Sequence, residues 1–337
     1  MSNRKKILVT GGAGFIGTNL CKYLLRRNHE VIILDDFSTG EKRDLPGARW
    51  INQCVTEPFR FECDEIYHLA CPASPVHYAD DPIQTLLTAF QGTYNALLCA
   101  EYSGARILVA STSEVYGQPL EHPQTEELWS HINPVGARSC YDTGKAAAES
   151  LAANFCAQRG LQVRIARIHN TYGPYMDPHD GRMIPNFICQ ALQGELLTVY
   201  GDGSQTRSLC YVDDMVEGLV ALLENESLAN GMPVNIGNPD ERTVMEIAEY
   251  VRAASPPVDP EYVRAASPPV DLDPPWVVYE DLPEDDPTRR CPDVSFMNRL
   301  TGWKPRVDLA EGIKRTVEYF EDIMEDDDAD DDDEDDE

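Results

Sequence analysis

Through the first half of the chain, short unbroken apolar runs alternate with stretches in which apolar residues recur every three or four positions. Lys6-Ile-Leu-Val-Thr10, Val31-Ile-Ile-Leu34, Glu65-Ile-Tyr-His-Leu-Ala70, Arg106-Ile-Leu-Val-Ala110 and Val163-Arg-Ile-Ala-Arg167 read as strands covered on both faces. Leu20, Tyr23, Leu24 and Leu25 share a helical stripe, a second helix runs from Pro82 to about Glu101, and a third carries Tyr141 and Lys145. Strands and helices in alternation predict an α/β fold with a doubly wound parallel sheet and ligands at the carboxyl ends of its strands. After Asn170-Thr-Tyr-Gly-Pro174 the character changes: Gly181 to Ile188 opens a helix, Leu197-Thr-Val-Tyr-Gly201 is a strand, and Tyr211-Val-Asp-Asp214 leads into another helix. Prolines make Ala254 to Pro275 a poor candidate for regular structure.

Between the first strand and the first helix lies Gly11-Gly-Ala-Gly-Phe-Ile-Gly17. The spacing Gly11, Gly14, Gly17 places one glycine at a tight turn, one where backbone approaches a pyrophosphate, and one where helix packs closely on strand. The helix N-terminus then offers free N–H groups and positive dipole to phosphates. The second strand ends at Asp35, where a carboxylate would bind an adenine ribose and repel a 2′-phosphate. This favours NAD over NADP, while Lys42 and Arg43 are close enough in sequence to receive such a phosphate. The fold is therefore read as Rossmann-like. Residues 1–175 form mainly the NAD-binding domain, 176–320 mainly a smaller interleaved C-terminal substrate-binding lobe, and 321–337 a tail.

Tyr141 and Lys145 stand four apart on a helix, hence on one face. An ammonium beside a phenol favours the phenolate, and a base working near neutrality needs the phenol lowered by roughly 3 units, about 4 kcal/mol. Lys145 and a cationic nicotinamide could share that task. Ala110-Ser-Thr-Ser-Glu-Val-Tyr-Gly117 follows the fourth strand directly, so Thr112, Ser113 and Glu114 fall at a ligand-bearing edge. On the residues alone, Thr112 and Ser113 could equally cap a turn, Glu114 be a solvated acid, and Arg290 a surface ion pair.

Charge and cysteines narrow the partners. Of the net −30, Glu321–Glu337 contributes fourteen acidic residues and no basic one, leaving −16 for residues 1–320. Such a surface repels phosphate backbones and anionic lipid, which argues against nucleic acid and membrane as partners. From Glu325 onward few apolar residues remain, and a disordered tail is expected. Ten cysteines occur singly without a C-x-x-C pair, reading as reduced thiols in a cytoplasmic protein. No segment approaches membrane-spanning length. The seven histidines show no ligand spacing, and no metal is expected.

With these residues in place, the chain resembles the extended short-chain dehydrogenase/reductase family, and within it the UDP-glucuronate decarboxylases, from Lys6 to about Tyr319. The subfamily strings are Leu69-Ala-Cys-Pro-Ala-Ser-Pro-Val-His77, Ser111 to Gly117, Asn170 to Pro174, Ala191-Leu-Gln-Gly-Glu195 with Leu197 to Gly201, and Gly203-Ser-Gln-Thr-Arg207. The resemblance implies a redox cycle that consumes no net NAD. Tyr141, assisted by Thr112 and Lys145, takes the proton of the sugar 4-hydroxyl; the resulting β-keto acid loses carbon dioxide; C5 is reprotonated and the ketone reduced to UDP-xylose. It assigns Ser113, Glu114 and Arg290 to the carboxylate, and a Glu114 near that carboxylate would be pressed toward its neutral form. It assigns cofactor contacts to Gly11, Gly14, Phe15, Ile16, Gly17, Asp35, Asp36, Phe37, Thr39, Gly40, Leu69, Thr88, Tyr141 and Lys145, and UDP-sugar contacts to Gln158, Thr171, Arg182, Asn186 and Arg207. It also implies a homodimer through helices flanking Phe90 and Tyr141.

The chain departs from the family pattern at Cys54, usually an Asp near the adenine, at Leu87, usually a Lys near the substrate, and at Tyr175, usually an Arg. The competing readings are an NAD-dependent nucleotide-sugar 4-epimerase or 4,6-dehydratase, and an NAD-binding scaffold without turnover. One further feature is a repeat: Glu249 to Asp259, followed by Pro260, recurs at once as Glu261 to Asp271. Two copies do not make a solenoid; the pattern is that of a tandem duplication in which one copy completes a helix and the other loops out. Deleting 261–272 is expected to leave the melting temperature and NAD binding within error of the full chain, and a collapse of either would show that the second copy is structural.

Overall fold

The computed structural model describes residues 4–226, 231–256, 274, 276–282 and 289–334, with side chains as far as Glu325. The chain begins β1 (Lys6–Thr10), α1 (Phe15–Arg26), β2 (Glu30–Asp35), β3 (Ala48–Asn52) and β4 (Glu65–His68). It continues through α2 (Pro75–Asp80), α3 (Pro82–Leu87), a π-helical turn (Thr88–Gly92), α4 (Thr93–Ser103) and β5 (Arg106–Thr112). A 3-10 turn (Ser113–Tyr116) and a long loop precede α5 (Ser139–Arg159) and β6 (Val163–Ile168). Next come β7 (Thr171–Tyr172), α6 (Met183–Leu192), β8 (Leu197–Tyr200), β9 (Thr206–Ser208), β10 (Cys210–Tyr211) and α7 (Val212–Glu224). The described remainder comprises β11 (Pro233–Ile236), β12 (Glu241–Thr243), α8 (Val244–Ala254), β13 (Val277–Glu280), β14 (Arg289–Arg290), α9 (Ser295–Thr301) and α10 (Leu309–Glu334).

Seven parallel strands form the main sheet in the order β11-β6-β5-β4-β1-β2-β3. Consecutive residues of one strand face opposite sides. Ile7 and Val9 with Val31 and Ile33 therefore enter one core, against Leu20 and Leu24 of α1 and Leu219 of α7. Leu8 with Ile32 and Leu34 enter the other, against Leu97 of α4 and Phe155 of α5. The strand order turns between β1 and β4, and the crevice at that turn is where ligands sit in such sheets. Two sheet strands escaped the apolar-run reading: β3 is half-exposed at one edge, and β11 opens on a proline. The predicted helix from Pro82 is one run broken by the π-helical turn, which ends at Gly92, whose missing Cβ would stand 2.7 Å from Val55 Cγ2.

The smaller lobe contains a three-stranded sheet, β12-β9-β14, and the pairs β13-β8 and β10-β7. Helix α8 starts with a reciprocal cap between Thr243 and Glu246. α10 buries Ile313, Val317 and Phe320 and packs on α6 and α8, each fully buried apolar side chain contributing about 1.5–3 kcal/mol.

α7 and β11, from the C-terminal half, pack on and pair with the main sheet, so the two units interleave. The tail does not lose structure at Glu325, because α10 runs to Glu334; adding residues to a docked helix avoids the cost of nucleation. The first copy of the repeat completes α8, while the second lies outside the described residues.

Candidate active site

The glycine loop is shaped by what side chains would collide with. A Cβ on Gly17 would stand 2.0 Å from Gly11 O, and one on Gly11, whose φ is +72°, 2.6 Å from Ala70 N on the neighbouring strand's end. At Gly14, the N-cap of α1, a Cβ would meet only Gly11 O at 3.5 Å, so that side of the loop is open. Asp35 braces the loop, accepting from Ala13 N and Phe37 N at 2.9 Å each. Burial raises its carboxyl, and the backbone bonds oppose that rise. Gly40 closes on Ala13, with its missing Cβ 2.7 Å from the Ala13 carbonyl. Phe37 lies against Trp50, Asp36 and Thr39 are exposed, Phe15 and Ile16 form the first turn of α1, Leu69 is half-buried just after β4, and Thr88 is buried at the start of the π-helical turn.

Across the crevice, β5 ends at Thr112 and the N-terminal turn of α5 presents Tyr141. Tyr141 and Lys145 are buried, and the Thr112 hydroxyl is hydrogen-bonded to the phenol. The Tyr78 ring stacks on Tyr141 at 5.4 Å. Lys145 Nζ donates to Ala110 O at 2.9 Å and lies 5.8 Å from the Tyr141 ring centre. Contrary to the sequence expectation, the phenol of the protein alone is pushed up: burial dominates, and Cys71 adds to it. The ammonium is held by a carbonyl rather than by the phenol oxygen, so a working phenolate requires further positive charge in the crevice.

Glu114, in the 3-10 turn after β5, meets two guanidiniums. Arg290 of β14 clasps both carboxylate oxygens, with Nη2 to Oε2 at 3.0 Å, and Arg138 reaches Oε2 at 2.5 Å. Burial opposes ionisation here, but Arg290 and then Arg138 outweigh it, and the carboxyl lies below its ordinary value. Glu114 is thus held as a carboxylate by the two guanidiniums in the protein alone. Ser113 is buried beside it, and Arg207 on β9 is in register with Arg290.

A cradle for a dinucleotide, a Tyr-x-x-x-Lys helix and a carboxylate–guanidinium cluster thus share one sheet edge. The family model for the NAD dependent epimerase/dehydratase family matches residues 7–237. The chain belongs to this family. It is 47% identical over 323 residues to UDP-glucuronic acid decarboxylase 1 of Arabidopsis thaliana, covering 94% of this chain and 70% of that protein. It is 47% identical over 328 residues to UDP-glucuronic acid decarboxylase 1 of Danio rerio, covering 94% and 73%. Among solved structures, UDP-glucuronic acid 4-epimerase from Bacillus cereus, in complex with a UDP-sugar and NAD, superposes with a TM-score of 0.78 at 25% identity, over 94% of this chain and 99% of that one. As in the family, the cofactor is NAD. The residues present fit it: the open side of Gly14 and the uncapped start of α1 suit a pyrophosphate.

Within this family member the other predicted contacts are dispersed. Arg182 caps α6, pairs with Asp180 and lies 5.9 Å over Phe15 of the glycine-loop helix. Asn186 lies one turn on, donating to Gly181 O at 3.3 Å, and Thr171 Oγ1 donates to His169 O at 2.8 Å. Gln158 is a correction: it is exposed in the last turn of α5, about 25 Å along the helix from Tyr141, too far to share its site within one chain. Tyr175 stands where the family usually has an Arg: its φ is +72°, its hydroxyl accepts from Lys22, and its ring packs against Lys22, Arg43 and Tyr319. Arg43 also donates to Ala13 O at 3.0 Å, bracing the glycine loop. Cys54 lies 3.1 Å from Thr56 Oγ1, and Leu87 is exposed at the end of α3.

Three residues escaped the sequence reading. Tyr78 directly follows the string Leu69 to His77 and Arg138 stands three residues before Tyr141, but nothing in the spacing pointed them at Tyr141 or Glu114. The third, Asp142, has an unpartnered buried Oδ1. Burial, then Glu114, pushes its carboxyl up to about 7, while Arg138 and Arg290 pull the other way. A raised carboxyl favours the fold below its ordinary value, and that contribution is lost as pH rises through about 7. Asp142→Asn should therefore melt progressively higher than the parent between pH 4 and 8, levelling off above, in thermal scans at fixed ionic strength. A difference independent of pH would rule this out.

Proposed function

We propose that the chain decarboxylates UDP-glucuronate to UDP-xylose through a 4-keto intermediate, with NAD recycled. The observation that carries this reading is the similarity over 94% of the chain to UDP-glucuronic acid decarboxylases, joined to a site in which a base and a cluster for a carboxylate lie on one edge. When bound, NAD supplies the acceptor for the 4-position hydride and returns it at the end. Tyr141 takes the 4-hydroxyl proton, Thr112 orients that oxygen, and Lys145 holds the helix face to Ala110. The C6 carboxylate then lies beta to a ketone, and its C–C bond breaks with the electron pair passing onto the ketone oxygen. Arg290 suits a carboxylate because its two N–H groups match the two oxygens, as they already do for Glu114. Glu114, Ser113 and Arg138 position the group that leaves, and an acid at this cluster reprotonates C5. Arg182, Asn186, Thr171 and Arg207 would hold the nucleotide.

Incubation with UDP-glucuronate and NAD should give a nucleotide sugar lighter by carbon dioxide, seen by mass spectrometry. Tyr141→Phe should reduce turnover by about 10²–10⁴-fold with NAD affinity nearly unchanged. Unchanged product mass would point to epimerisation, and NAD binding without turnover to a scaffold.

We further propose that the working unit is a homodimer. Ile83 is 75% exposed, Leu86 41%, Leu87 46% and Phe90 43%, on one stripe of α3 and the π-helical turn beside α5. Exposed apolar residues at this spacing mark an interface. Light scattering should give twice the chain mass, and Ile83→Asp with Phe90→Asp should give a folded monomer; an unchanged mass for that variant would place the interface elsewhere. No helix of the described residues is long and apolar enough to cross a membrane, and ten free thiols suit a cytoplasmic setting.

A further inference from the structure

Beside the Glu114 cluster lies a second group of donors that the reaction does not use. His122, from the loop after β5, Glu241, at the start of β12, and Cys291, directly after β14, are far apart in sequence. The sheet β12-β9-β14 brings Glu241 and Cys291 to one side, and the loop lays His122 against them. One ligand atom from each residue, an imidazole nitrogen, a carboxylate oxygen and a sulfur, all lie within 4.8 Å of one another. His122 Nε2 is 2.9 Å from Glu241 Oε2, and the other carboxylate oxygen accepts from Thr206 Oγ1.

The three are held on a stiff frame. Gln124 N donates to Cys291 O at 2.8 Å, Cys291 N donates to Gln124 Oε1 at 2.8 Å, and Asp293 N donates to Gln124 O at 2.8 Å. These bonds lock the segment after His122 to the segment around Cys291. Cys291 Sγ is buried and lies 3.5 Å from Pro239 O, with Asp240 and Asp293 adding negative charge nearby. A cation at the site would take this sulfur as thiolate, displacing its proton.

We propose that His122, Glu241 and Cys291 form a binding site for a thiolate-accepting divalent cation of the zinc type, bracing the strand that carries Arg290. Neutral imidazole, carboxylate and thiolate together balance a charge of two. Sulfur with imidazole selects zinc-like ions over magnesium or calcium. Ligand bonds of about 2.3 Å to sulfur and about 2.0–2.1 Å to nitrogen need small rotations of His122 and Cys291, and three protein ligands leave a fourth position for water. The chemistry of the sugar needs no such ion, so the site is structural or regulatory. It went unseen in the sequence because no two of its ligands share a helix or a short motif.

The test is a titration of the full-length chain with Co²⁺, followed by Zn²⁺. One equivalent of Co²⁺ should produce a near-ultraviolet sulfur-to-metal band with tetrahedral visible bands, and Zn²⁺ should displace it and raise the melting temperature by several degrees. Both effects should be lost in Cys291→Ser and in His122→Asn, each of which should melt like the parent without metal. If Cys291→Ser does not fold, the more exposed His122→Asn carries the comparison alone. Absence of a sulfur band in the parent, or a band that persists in either variant, overturns the assignment.

Discussion

A carboxylate taken out of water has to be paired, and the pairing of Glu114 ties the two lobes together. Glu114 follows the central strand β5, while Arg290 comes from β14 of the small lobe, 176 residues later. Losing either partner of such a buried pair typically costs about 3–5 kcal/mol, because the survivor is stranded. The clasp therefore ties β14 to the turn that follows β5. Arg138, from the cap of α5, adds the helix that bears Tyr141 to the same carboxylate. One anion thus registers the strand, the helix that bears Tyr141 and the small lobe against each other.

The same burial that makes this clasp necessary shapes the acid–base chemistry. Tyr141 sits among Thr112, Tyr78 and Cys71, where a phenolate is poorly solvated. The neutral phenol is the resting form, and positive charge brought with the ligands has to supply the lowering. Activation is thereby linked to occupancy of the crevice. Lys145, bonded to Ala110 O, contributes position as well as charge, since it fixes the α5 face to the strand end from which Thr112 projects.

How much of this was legible depends on the range of the interaction. The glycine loop, Asp35 and the Tyr141–Lys145 pair are local patterns, and local spacing is what a sequence displays directly. The five central strands were legible because both of their faces are buried. β3 and β11 were not, because an edge strand relaxes the apolar run. Arg138 on Glu114 and Tyr78 on Tyr141 depend on how loops close, which no period encodes. At Tyr175 the sequence displays only the missing cation; that Lys22 and Arg43 gather around its ring through a left-handed backbone turn is visible only in three dimensions. Gln158 misled because an aligned position on a helix carries no information about which end of that helix meets the ligand. The acidic tail misled because composition argues against a free helix, not against the extension of one already docked by Phe320.

On the proposed reaction, the ligand-free clasp also bears on specificity. A substrate carboxylate reaching Arg290 would place a second anion beside Glu114, with Arg138 and Arg207 as the other counter-charges. Two carboxylates sharing guanidiniums cannot both stay ionised without cost, so one of them is driven toward the neutral acid. Glu114, whose carboxyl is held below its ordinary value before binding, would on that reaction become the group under pressure afterward, and would then serve as a proton carrier. A sugar with a neutral C6 group exerts no such pressure and leaves Glu114 locked to Arg290. Discrimination between a uronic acid and its neutral counterpart would then come from the state of this one buried carboxylate more than from the shape of the pocket.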